Sequence, residues 1–267
     1  MRTAPEYRSI LQKQRRQWNR NLLHFLVVLI LTLLCLYYVG LLDGQRLAEG
    51  VPSIFKLILE SLPPDFSDAP KWFKPLMDTL AMSVAGTFLA VVLSLPLALL
   101  GAHNTTPHPA LYQAARLILN ALRSIPELIL GILFVAAVGF GGLPGVLALG
   151  FHSVGMVGKF FAEAIEHVDQ EPVEAVRAAG ATPMQIVLHG ILPQVLPHMA
   201  DVTIYRWEYN FRASTVMGMV GAGGIGFELM SSLRIMQYRD VSALLLVILG
   251  MVSVVDGLGA YFRKRFK

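Results

Sequence analysis

Six apolar stretches, each long enough to cross a hydrocarbon core of about 30 Å, alternate with polar segments along the chain. They occupy residues 22–42, 76–100, 115–140, 143–165, 198–220 and 241–262. The first and last are the most uniformly apolar. The third is interrupted by Arg123-Ser124-Ile125-Pro126-Glu127, and the fifth is the most polar. This pattern predicts an all-α polytopic membrane protein of about six transmembrane helices. The first stretch is too long for the apolar region of a signal peptide and no small-x-small cleavage site follows it, so it is expected to be a retained helix.

The segments between the spans give the orientation. Arg2, Arg8, Lys13, Arg15, Arg16 and Arg20 precede the first span, and Arg263, Lys264, Arg265 and Lys267 follow the last. Basic residues favour the cytoplasmic side, so both termini are expected there, in agreement with an even number of crossings. Residues 43–74 then lie outside. Within them Leu47, Val51, Ile54, Phe55, Ile58, Leu59 and Leu62 recur at helical spacing. They predict an amphipathic helix on the outer surface, ended by Pro63-Pro64 and Pro70. The expected organisation is a cytoplasmic tail, first transmembrane helix and external amphipathic segment over 1–75, a transmembrane core over 76–262 and a basic cytoplasmic tail over 263–267.

A compact polar insert separates the fourth and fifth spans. Asp169 and Glu171 are N-cap candidates, Pro172 suits a first helical position, and Gly180 stands where a left-handed C-terminal residue is wanted. Thr182-Pro183 repeats the cap-then-proline device for a second short helix, expected to end near Gly190 with Pro193 as its stop.

Composition supports the membrane reading. Hydrophobic residues make up 55% of the 267 and charged residues only 15%, with a mean hydropathy of +0.57, too apolar for a typical soluble domain. The single cysteine, Cys35, lies in an apolar run and excludes an intrachain disulfide framework. The net charge of +4 sits mainly at the two ends and does not describe a nucleic-acid surface. Two glycine-containing segments are decoys. Ser153–Phe160, around Gly158-Lys159, lacks the first glycine and final hydroxyl of a P-loop, so no ATP site is expected on this chain. Gly221-Ala-Gly-Gly-Ile-Gly226 satisfies the dinucleotide fingerprint but follows a membrane-length helix without a βαβ unit. A helix end or re-entrant turn near the outer surface is the better reading. No cofactor, metal or catalytic constellation is expected: His152, His167, His189 and His198 are scattered, and Met217, Met219 and Met230 suit packing.

Charges at membrane depth usually face a protein interior or a wet cavity. Arg206, Asn210, Ser214 and Met217 recur at helical spacing in the fifth span and form a polar stripe suited to a translocation path. Arg212 shares that segment and is spaced to pair with Glu208; Arg123 and Glu127 have the same spacing. An anionic cargo fits the Arg206, Asn210, Arg212 and Ser214 set.

The insert resembles the EAA loop of type I ABC-importer permeases. Glu174, Ala175, Gly180, Ile191, Leu192 and Pro193 fall near that pattern, with Val176 in place of the third motif residue and no residue between Ile191 and Leu192. The resemblance implies that this loop seats on an ATP-hydrolysing partner and carries its closure to the membrane helices. A narrower resemblance is carried by Tyr205-Arg-Trp-Glu-Tyr-Asn-Phe-Arg-Ala-Ser-Thr215 running into Val216–Gly226, together with Leu122–Glu127 and Pro63-Pro-Asp-Phe66. These segments are similar to the phosphonate-importer permease family, and the likeness covers most of the chain from about Leu62. It implies a permease without enzymatic activity of its own, in a bacterial inner membrane and the bilayer around it. Its implied partners are a second copy of itself, a pair of ATP-binding subunits and an external phosphonate-binding protein. The implied cargo is a phosphonate or phosphite-like oxyanion. The alternative is an ion-coupled secondary transporter of a small anion, but no convincing repeat relates the two halves.

Overall fold

The computed structural model describes the backbone of residues 4–266 and the side chains of residues 13–265. Arg2 and Lys267 of the orientation argument lie outside the described residues, as does the side chain of Arg8. Every regular element among the described residues is helical. They form two compact units, one ending at Glu60 and the other beginning at Ser61.

The first unit holds α1 (Ala4–Tyr38) and α2 (Gly44–Glu60). The basic segment from Lys13 to Arg20 is part of α1, whose apolar run from Leu22 onward is exposed almost throughout, as expected of a surface that faces lipid or another chain. The helix ends at Tyr38, so residues 39–42 of the expected first span form a turn instead. Asp43 caps α2 by accepting from the amides of Gln45 (3.1 Å) and Arg46 (3.4 Å). The amphipathic helix foreseen from Leu47 is therefore present.

The second unit contains α3 (Ala69–Gly101), α4 (Pro109–Ser124), α5 (Glu127–Val138), α6 (Gly142–Glu166), α7 (Gln170–Ala178), α8 (Pro183–Ile186), α9 (Leu192–Met217), α10 (Ile225–Arg234) and α11 (Tyr238–Phe266). Pro70 does not end the preceding helix; it lies in the first turn of α3, where a missing N–H leaves no bond unmade. Helices α3 and α6 lie side by side and run in the same direction. A methyl added to Gly86 would meet the Leu149 Cβ at 3.0 Å, and one added to Gly101 would meet Ala162 at 3.8 Å. Gly86, Ala90, Ser94 and Ala98 give α3 a stripe of small residues at every fourth position, so two backbones approach closely where lipid supplies no hydrophobic drive. α4 crosses α6 closer still: a Cβ on Gly155 would lie 2.6 Å from both the Leu119 carbonyl and the Arg123 amide.

Among the described residues four helices are long and apolar enough to cross a membrane singly, and six crossings result if each of two bent pairs counts as one. The third expected span is one such pair: α4 and α5 meet at 88° around Ile125-Pro126, because proline disfavours helical backbone at the residue before it. α9 runs back between α3 and α6. It ends in a turn whose Gly221 has φ +107, and α10 leaves at 58° after Gly223 and Gly224. The glycine cluster is thus a helix break. α11 returns along α9.

One expectation about the insert is corrected. The second short helix does not stop near Gly190. α8 continues through a π turn, Val187–Ile191, directly into α9. Pro193 lacks an amide hydrogen and would clash with a carbonyl in a regular helix interior. Here it follows the wider turn, in which the Leu192 amide donates to the Val187 carbonyl five residues back, so the chain changes phase instead of ending.

Candidate functional site: a capped loop and a buried polar ladder

The insert forms a stapled knob on one end of the second unit. Asp169 caps α7, its Oδ1 accepting from the Glu171 amide at 3.2 Å. Gly180 closes α7 at φ +81, a left-handed conformation that a Cβ penalises. Thr182 and Gln185 form a capping box on α8, with the Thr182 amide donating to Gln185 Oε1 at 2.8 Å. Gln194 of α9 then ties the whole together: its Oε1 accepts from the Asp169 amide (3.0 Å), and its Nε2 donates to the carbonyls of Asp169 (3.2 Å) and Gly190 (2.6 Å). Val173 is buried over Gly190, where a Cβ would stand 3.3 Å from the Val173 Cα.

The expected coupling residues divide into two sets. Glu174, Ala175 and Gly180 are exposed, as are Met184 and Leu188 at the tip, whereas Ile191 is buried and Leu192 half-buried, rooting the loop. Pro193 is exposed at the start of α9. The Glu174 carboxylate makes no hydrogen bond or ion pair with any described residue; the capping is done by Asp169. The tip therefore offers a carboxylate among small and apolar groups. Sequence reasoning missed Gln194, which carries no motif signal, and Val173, which is one apolar residue among several.

Halfway along α6 and α9 lies a second feature. Arg206, Asn210 and Ser214 are all buried, at 2%, 0% and 0% exposure, and point between α3 and α6 instead of into open space. Arg206 Nε donates to Ser153 Oγ (2.8 Å), Ser153 Oγ donates to Asn210 Oδ1 (3.0 Å), and Asn210 Nδ2 donates to Thr87 Oγ1 (2.9 Å). Ser214 Oγ lies 2.7 Å from the Phe211 carbonyl and 3.2 Å from that of Thr79. Buried polar groups in an apolar medium must be paired, and this ladder pairs groups on three helices. Arg206 also stacks over Tyr209, 4.2 Å from the ring centroid, and Tyr209 Oη donates to Glu127 Oε1 at 2.6 Å.

Both spacing-based ion pairs are corrected. Glu127 bonds Tyr209 and lies 3.2 Å from His152 Nε2, while Arg123 is exposed. Glu208 pairs with Arg263 at 2.6 Å and Arg212 with Asp256 at 2.8 Å, so both charges reach across to α11 instead of to each other. The local reason is Gly259: a Cβ there would collide with the Glu208 carboxylate, so the glycine leaves the room the carboxylate occupies. Among the described residues no group of three or more His, Cys, Asp or Glu is placed to hold a metal ion.

An all-helical bundle with a broken third span, a glycine-broken fifth and a stapled loop between its fourth and fifth crossings defines a class of membrane transport subunit. The family model of the binding-protein-dependent transport system inner membrane component matches residues 90–267, and the chain belongs to that family. It is 67% identical over 250 residues to the phosphite transport system permease protein PtxC of Stutzerimonas stutzeri, covering 94% of this chain and 91% of that protein. The putative phosphite transport system permease protein HtxC of the same organism is 41% identical over 249 residues, covering 92% and 88%. Among solved structures, an inward-facing conformation of the MetNI methionine ABC transporter superposes with a TM-score of 0.64 at 25% identity, over 73% of this chain and 96% of that one. The fold is that of a type I ABC-importer permease, a multi-pass inner-membrane component. This membership sets aside the ion-coupled carrier.

Proposed function

We propose that this chain is the membrane-spanning subunit of an ABC importer that brings phosphite or a closely related phosphonate into the cell. The observation that carries the cargo is the 67% identity to a phosphite permease over nearly the whole chain. In this reading the chain does not itself hydrolyse ATP. Two copies assemble with two ATP-binding subunits and receive cargo from an external binding protein, with both termini in the cytoplasm. The permease core of 76–262 does the transport, and the tails only anchor and orient it. The tip around Glu174, Ala175 and Gly180 docks on the ATP-binding subunit. Ile191, Leu192 and Pro193 transmit its motion into α9, a role favoured by the unbroken run from α8 into α9. Arg206, Asn210, Arg212 and Ser214 lie on the route that opens when α9 moves.

The test is growth on phosphite as sole phosphorus source in a strain lacking this gene. Restoration by the chain together with its ATP-binding and binding-protein partners is expected, with methylphosphonate and phosphate as comparison cargoes. Phosphite uptake that is unaffected by loss of the chain overturns the reading.

A further inference from the structure

The knob stands at the start of α9; beyond the other end of that helix a cavity of about 450 Å³ opens between α5 and α10. Gly221 forms part of its floor, and Phe140 walls one side. A Cβ on Gly221 would stand 2.7 Å from the Phe140 ring, and the Gly141 amide donates to the Gly221 carbonyl at 3.2 Å. Phe140 is therefore held as a wall although it is 85% exposed. Phe227, Met230, Ser231 and Arg234 wall the other side. Their spacing of three and four residues puts them on one face of α10. That face is graded: Phe227 lies beside the glycine break, Met230 and Ser231 follow one turn on, and Arg234 is in the last turn.

Two polar side chains on this face have no partner. Neither the Arg234 guanidinium nor the Ser231 hydroxyl forms a hydrogen bond or ion pair with any described residue. Elsewhere in the bundle such groups are consumed internally. The hydroxyls of Thr79, Thr87, Ser153 and Ser214 all donate within the protein, and Arg212 and Arg263 face carboxylates. A guanidinium offers several N–H donors in a fork that matches an oxyanion, and a hydroxyl adds one more. Ligand cavities of this size combine an apolar lining with a few convergent polar groups. A bare inorganic anion would use the cation alone; the thioether and aromatic walls call for an apolar substituent.

We propose that this cavity is a binding site for an oxyanion of phosphorus that carries an apolar substituent. Its oxygens lie on Arg234 and Ser231, and the substituent lies toward Met230, Phe227 and Phe140. An alkylphosphonate and a phospholipid headgroup share that chemistry. The inference rests on the phosphite-or-phosphonate reading above and deepens it. In the proposed orientation the cavity is on the outer side, where cargo arrives, and it equips the chain to receive substituted phosphonates as well as phosphite. Both walls lie beyond a break in the chain. α5 follows Pro126, and α10 follows Gly223 and Gly224 at φ +79 and +72. The width of the cavity thus follows the angle at either hinge. Its floor continues directly from α9, the helix into which α8 runs, so a displacement of the knob is delivered to the cavity along one connected run.

The experiment uses the purified permease–ATPase complex without the binding protein, in lipid-free detergent and in phospholipid nanodiscs. Binding of phosphite and of methyl-, ethyl- and propylphosphonate is followed by phosphorus NMR. Saturable binding of propylphosphonate is expected in the wild type, with affinity rising about two- to fourfold per methylene, as burial of a CH₂ group predicts. Arg234→Gln should weaken every probe at least tenfold, and Arg234→Lys should restore part of that loss. Met230→Gln should flatten the dependence on chain length. Equal binding by wild type and Arg234→Gln overturns the site, as does absence of saturable binding or an affinity that does not rise with chain length. Should Arg234→Gln fail to assemble with the ATPase subunit, Arg234→Lys and Met230→Gln decide: wild-type behaviour in both overturns the proposal. Phosphonate binding that survives in nanodiscs assigns the site to free cargo, whereas binding seen in detergent and lost in nanodiscs assigns it to a lipid headgroup. A complex that imports phosphite or phosphonates with its binding protein yet fails these tests loses only the site. One that imports neither loses the cargo reading itself.

Discussion

Replacing Gln194 by alanine removes all three of its hydrogen bonds, two to Asp169 at the cap of α7 and one to the Gly190 carbonyl in the π turn. A typical intramolecular hydrogen bond contributes about 0.5–1.5 kcal/mol net, and two of these three are solvent-accessible, so their sum is about 1.5–3 kcal/mol. At 1.4 kcal/mol per factor of ten, the population of locally opened loop should rise by about 10- to 100-fold. Hydrogen exchange of the amides from Glu171 to Ala178, measured in the assembled importer, reads that population directly, because these amides exchange through local opening. The expected result is acceleration in that range confined to α7 and α8, with exchange in α3 and α6 unchanged. Transport per ATP hydrolysed should fall with it, since a loose knob dissipates the partner's motion. Unchanged α7 exchange would refute the reasoning and assign the rigidity to Val173 packed over Gly190.

Three further outcomes are expected. Glu174→Lys and Gly180→Val should leave the protein in the membrane but abolish phosphite-dependent growth; the valine forces a β-branched residue to φ +81, a left-handed conformation disfavoured by about 1–2 kcal/mol. Normal growth in both removes the loop's coupling role. In a Cys35→Ser background, a cysteine at Ser67 should react with an impermeant thiol reagent from outside, and one at Gln170 only after the membrane is opened; the reverse pattern inverts the orientation. Arg212→Asp should lower uptake, and adding Asp256→Arg should recover only part of it, because the reversed pair rejoins α9 to α11 but leaves an acid on the proposed anion route. No recovery in the double variant shows that Arg212 serves something other than that pair.

Local signals carried the loop well. Asp169, Gly180 and Thr182-Pro183 act within a few residues of themselves, so caps and left-handed closure are legible from the sequence. Pro193 reads as a stop in the sequence but is not one: a missing amide hydrogen suits both the end of one helix and the start of the next, and only the wider turn at 187–191 decides between them. Side-chain partners across the bundle were not legible. Glu127 and Tyr209 are 82 residues apart, and Glu208 finds Arg263 because Gly259 leaves room for it. The four-residue spacing that suggested other pairs describes one helix alone. The spacing of Arg206, Asn210 and Ser214 puts them on one face of α9, but the partners of that face on α3 and α6 are not legible, since small residues every fourth position announce close packing without naming the partner.

The π turn at Val187–Ile191 fixes an angle as well as a connection. Each residue of an α-helix advances the azimuth by about 100°, so a turn with one residue more than usual sets the bearing of everything beyond it. Removing a single residue there would restore an ordinary helix and swing α8 and the knob by roughly a quarter of a revolution about the α9 axis. Glu174 and Gly180 would then face a different direction while Arg206, Asn210 and Ser214 stayed in place. If the knob docks on the ATP-binding subunit as proposed, the side of the subunit that meets it is written in residue count, and insertions or deletions in this short turn are steering changes even where every contact residue is kept.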